Sequence, residues 1–100
     1  MPIRERSGPE NAEAIAIAAL SFVAADSVLL PRFLAISGIE ASAIRQAAGE
    51  PGFLAGVLRF IAEHEPTLLQ FAEESGTPPE AVLRAMRELP GGGDAYMAST

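Results

Sequence analysis

The amino-acid sequence predicts an all-α fold, a compact bundle of about six short helices. Three observations lead there. No segment alternates apolar and polar residues with period two, so no strand is expected. Apolar residues recur instead at spacings of three and four, the repeat of a helix face. Glycine and proline punctuate those runs where helices should stop and start.

The first helix is expected from Pro9 to about Ala25. Ile15, Ala18, Ala19 and Phe22 share one face, and Ile17, Leu20 and Ala24 another. A helix apolar nearly all round belongs in the middle of a fold. Asp26 is a suitable cap for the second helix, "DSVLLPRFLAISG". Pro31 either opens that helix at Leu30 or bends one that begins at Ser27. Gly38 ends it. A short third helix comes next, over Ala41–Ala48, closed by Gly49. Pro51 opens a fourth, Pro51–His64, with Leu54, Val57, Leu58 and Ile61 as its inner stripe and Phe53 and Phe60 alongside. Pro66 opens a fifth to Ser75, with Leu68, Leu69 and Phe71 apolar and Gly76 as its stop. The sixth, Pro78–Leu89, carries Val82, Leu83 and Met86. The expected core includes Phe22, Leu34, Leu54, Leu58, Ile61 and Phe71. Residues 1–8 read as a disordered head, 9–90 as one helical domain, and 91–100 as a flexible tail.

An echo at a spacing of 38 residues suggests two helix-corner-helix units around a central helix. Leu30 matches Leu68, Phe33 matches Phe71, Ser37–Gly38 matches Ser75–Gly76, and Ile44 matches Val82. Short helices with glycine stops also look alike without any duplication.

Composition narrows the function. A chain of 100 residues fits one domain with a single core. Nineteen alanines leave that core to a modest set of larger apolar side chains. Without cysteine, neither disulfides nor thiol chemistry is available, which suits a cytoplasmic setting. All seven basic residues are scattered arginines, and the net charge is −6. That charge opposes non-specific attraction to phosphate backbones and anionic membranes. The apolar run Ala14–Ala25 is too short to span a bilayer, which takes about 20 residues. Glu5, Glu10 and Glu13 break the basic leader that a secretory signal needs.

One stretch, "FAEESGTPPEAVLRAMREL", has the spacing of a DNA-reading helix-turn-helix within residues 67–89. Ala72 supplies the small residue in the first helix, Gly76 the turn, and Val82 the apolar contact in the second. Arg84 and Arg87 are the candidate nucleic-acid contacts. The start of the second helix, however, is Pro78, Pro79 and Glu80, where polar or basic side chains should reach the bases. Glu73, Glu74 and Glu88 surround the arginines. A plainer reading makes Thr77 and Glu80 a capping box with Pro78 at the first helical position.

Other chemistry lacks parts. His64 is the one histidine, and neither metal binding nor a Ser–His–acid set finds partners at a telling spacing. Paired carboxylates among the glutamates default to solvated surface. There is no glycine-rich phosphate loop between a strand and a helix. From Glu63 to Glu80 the chain has Glu63, Glu65, Glu73, Glu74 and Glu80 and no arginine. These five acids are the candidate surface for a basic partner, or else a solvated face.

At "AIAIAALSFVAAD", "RFLAISGI" and "EPGFLAGVLRFIAEHEPTLLQFAEESG" the chain resembles a family of short proteobacterial proteins of unknown function. The resemblance covers about Ala12–Leu89 and implies a small all-helical domain. Its spaced Leu, Phe and Gly carry a fold and no catalytic residue. The second corner of that family carries an acid and then proline, where this chain has Glu40–Ala41. By elimination the expected function is a small non-catalytic protein-interaction module, without cofactor, for an unknown protein partner. The alternatives are the nucleic-acid-binding helix-turn-helix and a self-associating dimer built on alanine-rich helices.

Overall fold

The computed structural model describes residues 9–90, and the expected head and tail lie outside them. Six α-helices run through the described residues: α1 (Pro9–Ala24), α2 (Leu29–Ser37), α3 (Ile44–Ala47), α4 (Phe53–Ala62), α5 (Glu65–Ser75) and α6 (Pro79–Glu88). A 3-10 turn, Ala41–Ala43, leads into α3. No strand forms among these residues. The all-α expectation holds.

α1 is the central helix, packed against α2, α4, α5 and α6. Its buried side is Ala12, Ala16, Ala19 and Val23, spaced at four, three and four. Methyl side chains let α4 and α6 come close on that side. The cover is one-sided, which corrects the all-round burial expected from composition. Ile17 is 49% exposed, and Ala18 and Ala24 face outward. Leu58, Ile61 and Phe71 are fully buried as expected. Phe22, Leu34 and Leu54 are only half-buried and pack against the core's edge.

Asp26 caps the start of α2, accepting the backbone N–H of Val28 at 2.8 Å and of Leu29 at 2.9 Å. Helical bonding begins at once, with Leu30 N–H donating to the Asp26 carbonyl. Pro31 therefore sits in the first turn, where its missing N–H forfeits one bond to the Ser27 carbonyl.

The two corners predicted at Gly38 and Gly76 share one geometry. Gly38 has φ 78° and Gly76 φ 76°, the left-handed conformation that glycine adopts without strain. Each donates its N–H back four residues at 2.9 Å, to Leu34 and to Ala72. In both corners a serine hydroxyl accepts the N–H two residues on: Ser37 from Ile39 and Ser75 from Thr77. Two residues past each glycine the backbone is extended, at Glu40 and at Pro78. The echo is thus a repeated local structure. It ends there, because α6 has ten residues and α3 only four.

The starts of α6 and α4 depart from expectation in an instructive way. Thr77 does not cap α6, which begins at Pro79 with Pro78 as its extended N-cap and no side-chain cap bond. The ring of Pro79 forbids the helical conformation to the residue before it, so Pro78 cannot be the first helical residue. The start moves on by one, and Thr77 falls out of reach. Likewise α4 begins at Phe53, not Pro51. Gly52 enters it at φ 90°, while Gly49 is not left-handed.

Candidate functional site

The feature that stands out is an apolar cleft between α2 and α4, of about 270 Å³. It arises from the way α2 is seated. Leu29, Phe33 and Ile36 lie at i, i+4 and i+7, on one face of α2. Leu29 and Phe33 are buried, but Ile36 is 70% exposed. The inner stripe of α2 runs off the end of the core. The Phe33 ring bridges to α4, edge-on to Phe53 with centroids 5.9 Å apart and to Phe60 at 5.4 Å. Those rings hold the helices together at one level and leave space beside Ile36 and Ile39.

The α4 wall is built at the same spacing. Phe53, Gly56, Phe60 and Glu63 line the cleft, and Arg59 lines it with them. Gly56 lies inside a ten-residue helix, where glycine costs about 0.5–1 kcal/mol against alanine. No close packing demands it, since a Cβ there would meet no atom within 4 Å. The missing side chain leaves the floor of the cleft open. Aromatic and branched aliphatic walls with a few polar groups at the rim suit an apolar side chain from another segment.

The acidic candidates do not form one face. All five are exposed. Glu63 lies on the cleft rim, and Glu65 comes next, at the start of α5. Glu73 and Glu74 close α5, about 13 Å further along its axis. Glu80 is in the first turn of α6. Glu65 and Glu74, nine residues apart, project from opposite sides of α5. Of the five, Glu63 alone lines the cleft. Glu74 accepts a bond from Gln70 Nε2 at 3.2 Å.

Arg84 and Arg87 are exposed on α6. Glu80 and Glu88 share their stripe, so the outer face of α6 carries two charges of each sign. The inner face, Val82 and Ala85, is buried, and α6 packs against α1 and α4 as well as α5. Arg84 and Glu88 together line a small crevice against Asn11 and Ile15 of α1.

His64 has its Nδ1 2.6 Å from the hydroxyl of Thr67, which is the buried polar side chain of the core. That pairing joins the α4–α5 turn to the first turn of α5. Among the described residues, no three His, Cys, Asp or Glu side chains come together as a metal site would require. Nor is any single helix among them long and apolar enough to cross a membrane.

Sequence reasoning did not find the cleft. Its signals were an apolar stripe on α2 one turn longer than the core needed, and a glycine inside the most apolar helix. Residues 9–92 match the family model described as "Protein of unknown function (DUF3572)". No match was found among curated proteins or among solved structures.

Proposed function

We propose a role for a chain that belongs to the DUF3572 family of proteins of unknown function. It is a small, non-catalytic protein-interaction module, and the α2–α4 cleft is its binding surface. The partner is a short amphipathic segment that sets apolar anchors between Ile36 and Phe60 and a basic residue beside Glu63. Helix-in-groove recognition uses this combination of apolar anchors at helical spacing and charge at the rim. The observation that carries the reading is Ile36, a large apolar residue on the inner face of its helix yet 70% exposed beside an open glycine floor. Cytoplasm is the proposed compartment, a setting that a chain without cysteine suits.

Selection of random peptides displayed on phage tests this. Enriched sequences should combine aromatic or aliphatic anchors with lysine or arginine. Their binding should vanish in Ile36→Glu and weaken in Glu63→Lys. Peptides that bind Ile36→Glu as well as the native chain would remove the cleft from consideration.

The two alternatives rest on other surfaces. Nucleic acid would need the mixed-charge outer face of α6. Self-association would use the outer face of α1, where Ala14, Ile17, Ala18, Ser21 and Ala24 are exposed and uncharged. Light scattering over a range of concentrations distinguishes a dimer from a monomer awaiting another partner.

A further inference from the structure

We infer that residues 26–52, which carry α2 and α3, open away from the other helices as one unit, so that the α2 wall of the cleft is movable and a partner in the cleft holds it shut. This rests on the reading of the cleft as a peptide-binding surface and names how that surface is regulated. Every pair among α1, α4, α5 and α6 packs together, whereas α2 packs chiefly on α1, and α3 on the turn before it. α4 alone buries Phe53, Ala55, Val57, Leu58 and Ile61. From residue 26 to residue 52, only Leu29 and Phe33 are buried. The 3-10 turn and α3 bury no residue. Leu30, Leu34, Ile39 and Ile44 rest half-buried against the core's edge. Neither α2, with nine residues, nor α3, with four, is long enough to stand without packing, which takes roughly 12–15 residues even in good helix formers. Leu29 and Phe33 therefore carry most of the unit's hold on the core.

The unit meets the core at two joints. At the first, residues 25–28, the chain bends by 112° between α1 and α2. At the second, Gly52 enters α4 at φ 90°. Element ends of this kind absorb the change in φ and ψ when one part of a fold moves on another. The cleft straddles the boundary. Ile36, Ser37 and Ile39 line it from the movable side, and Phe53, Gly56 and Phe60 from α4. Phe33 crosses between the sides with its two ring contacts. When the unit lifts, the site loses a wall. An occupant that touches both walls binds the closed state better and shifts the equilibrium toward it. Whatever loosens Leu29 or Phe33 lowers the partner's apparent affinity in proportion to the closed fraction. Parts of a fold that open below the global free energy do so as contiguous units with few buried apolar contacts, as this one has.

The echo at 38 residues supplies a matched comparison. Phe33 and Leu34 of α2 correspond to Phe71 and Ala72 of α5, and both phenylalanines are buried. Amide hydrogen exchange of the full chain, resolved by NMR, follows both pairs. Corrected for intrinsic rates, Phe33 and Leu34 should exchange about tenfold faster or more than Phe71 and Ala72. Leu29→Ala should speed exchange at Leu34 and also at Ala48, whose N–H donates to the Ile44 carbonyl in the same unit. Val82→Ala, on the buried face of α6, should speed Phe71 and Ala72 and leave Phe33 and Leu34 as they were. Equal protection of the two pairs overturns the inference, because the fold then opens only as a whole. So does an Ala48 that ignores Leu29→Ala, since α3 would then move independently of α2. Val82→Ala speeding both pairs alike overturns it too. A selected peptide at about ten times its dissociation constant should slow Phe33 and Leu34 about tenfold. A peptide that needs Ile36 yet leaves those two amides unchanged counts against the inference in the same way. One common protection alongside cleft-dependent peptide binding defeats this inference alone. Separate exchange of α2 and α3 with no peptide found for the cleft defeats the partner reading alone.

Discussion

The ring of Phe33 stands edge-on to that of Phe60, centroids 5.4 Å apart with planes at 68°. This contact, with the matching one to Phe53, ties α2 to α4 and forms the end wall of the cleft. Phe33 is buried, and each aromatic pair contributes about 0.5–1.5 kcal/mol beyond area burial. Phe33→Ala should therefore cost about 3–5 kcal/mol in urea unfolding. Phe33→Leu keeps most of the volume and should cost under about 1.5 kcal/mol. A small loss for the alanine variant would mean that α2 is held by α1 alone.

Gly56 should behave oppositely. Its Cβ position is open, so Gly56→Ala adds helix propensity without a clash. The chain should gain about 0.5–1 kcal/mol, read as a raised urea midpoint at unchanged slope. Peptide binding should weaken at the same time, since the methyl enters the floor. Destabilisation would show that some close approach requires the glycine after all.

The corners give a contrast between neighbours. At Gly76, alanine would meet no atom within 4 Å, so the whole cost of Gly76→Ala is the left-handed backbone. That cost is roughly 1–2 kcal/mol, and Gly38→Ala should match it because the geometry is the same. Thr77→Ala should stay within about 0.5 kcal/mol, since no cap bond is lost. A loss of about 1 kcal/mol at Thr77 would restore the capping box.

These corners also mark what sequence made legible. Glycine at a helix stop acts through its own φ, and proline through its own ring and the residue before it. Such effects are local, so the stops at Gly38 and Gly76 could be placed from sequence. The error at Thr77 was local too: Pro79 constrains Pro78, and that rule outranked the capping pattern. The cleft is a different case. Whether Ile36 is covered depends on how far α4 extends past Phe33 in space, and no spacing within α2 contains that information. For the same reason Leu69, read as one of the apolar residues of α5, is half exposed. The acids from Glu63 to Glu80 looked like one surface because they are close in sequence, yet α5 separates them by its length and by its turn.

Asp26 supplies a pH dependence. The backbone N–H groups of Leu29 and Val28 hold its carboxyl below the usual carboxylate range. The bonded form is the ionised one. Its contribution is therefore full above the unfolded value of about 3.9 and is lost as pH falls through the lower folded value. Asparagine caps about as well and does not titrate there. Melting temperatures of the native chain and Asp26→Asn should be close at pH 7. Below about pH 3.9 the native chain should lose ground to the variant. A difference that stays constant from pH 7 down to the acid limit would rule out this role.

α6 should not bind DNA. No saturable binding to mixed-sequence duplex is expected, at physiological or at low salt. Affinity for a duplex comes largely from phosphates neutralised by basic side chains. The exposed stripe of α6 offers Arg84 and Arg87 but sets Glu80 and Glu88 beside them, so approach gains no net charge. The end that would face the bases is Pro78–Pro79, which has no backbone N–H to donate to a phosphate. The other side of α6 is committed to the core through Val82, Ala85 and Leu89. The helix therefore cannot roll to present a different face. Long-range attraction does not help either, since the net charge is −6, and screening limits any field to about 8 Å at physiological salt. An anisotropy titration decides it, run first at low salt, where a weak electrostatic contact would be strongest. Binding that saturates there and weakens when Arg84 and Arg87 become alanine would revive the helix-turn-helix. Glu80→Lys with Glu88→Lys gives the positive control, because reversing those two charges turns the same stripe into a basic one. Binding that emerges only in that variant would assign the exclusion to the glutamates of α6.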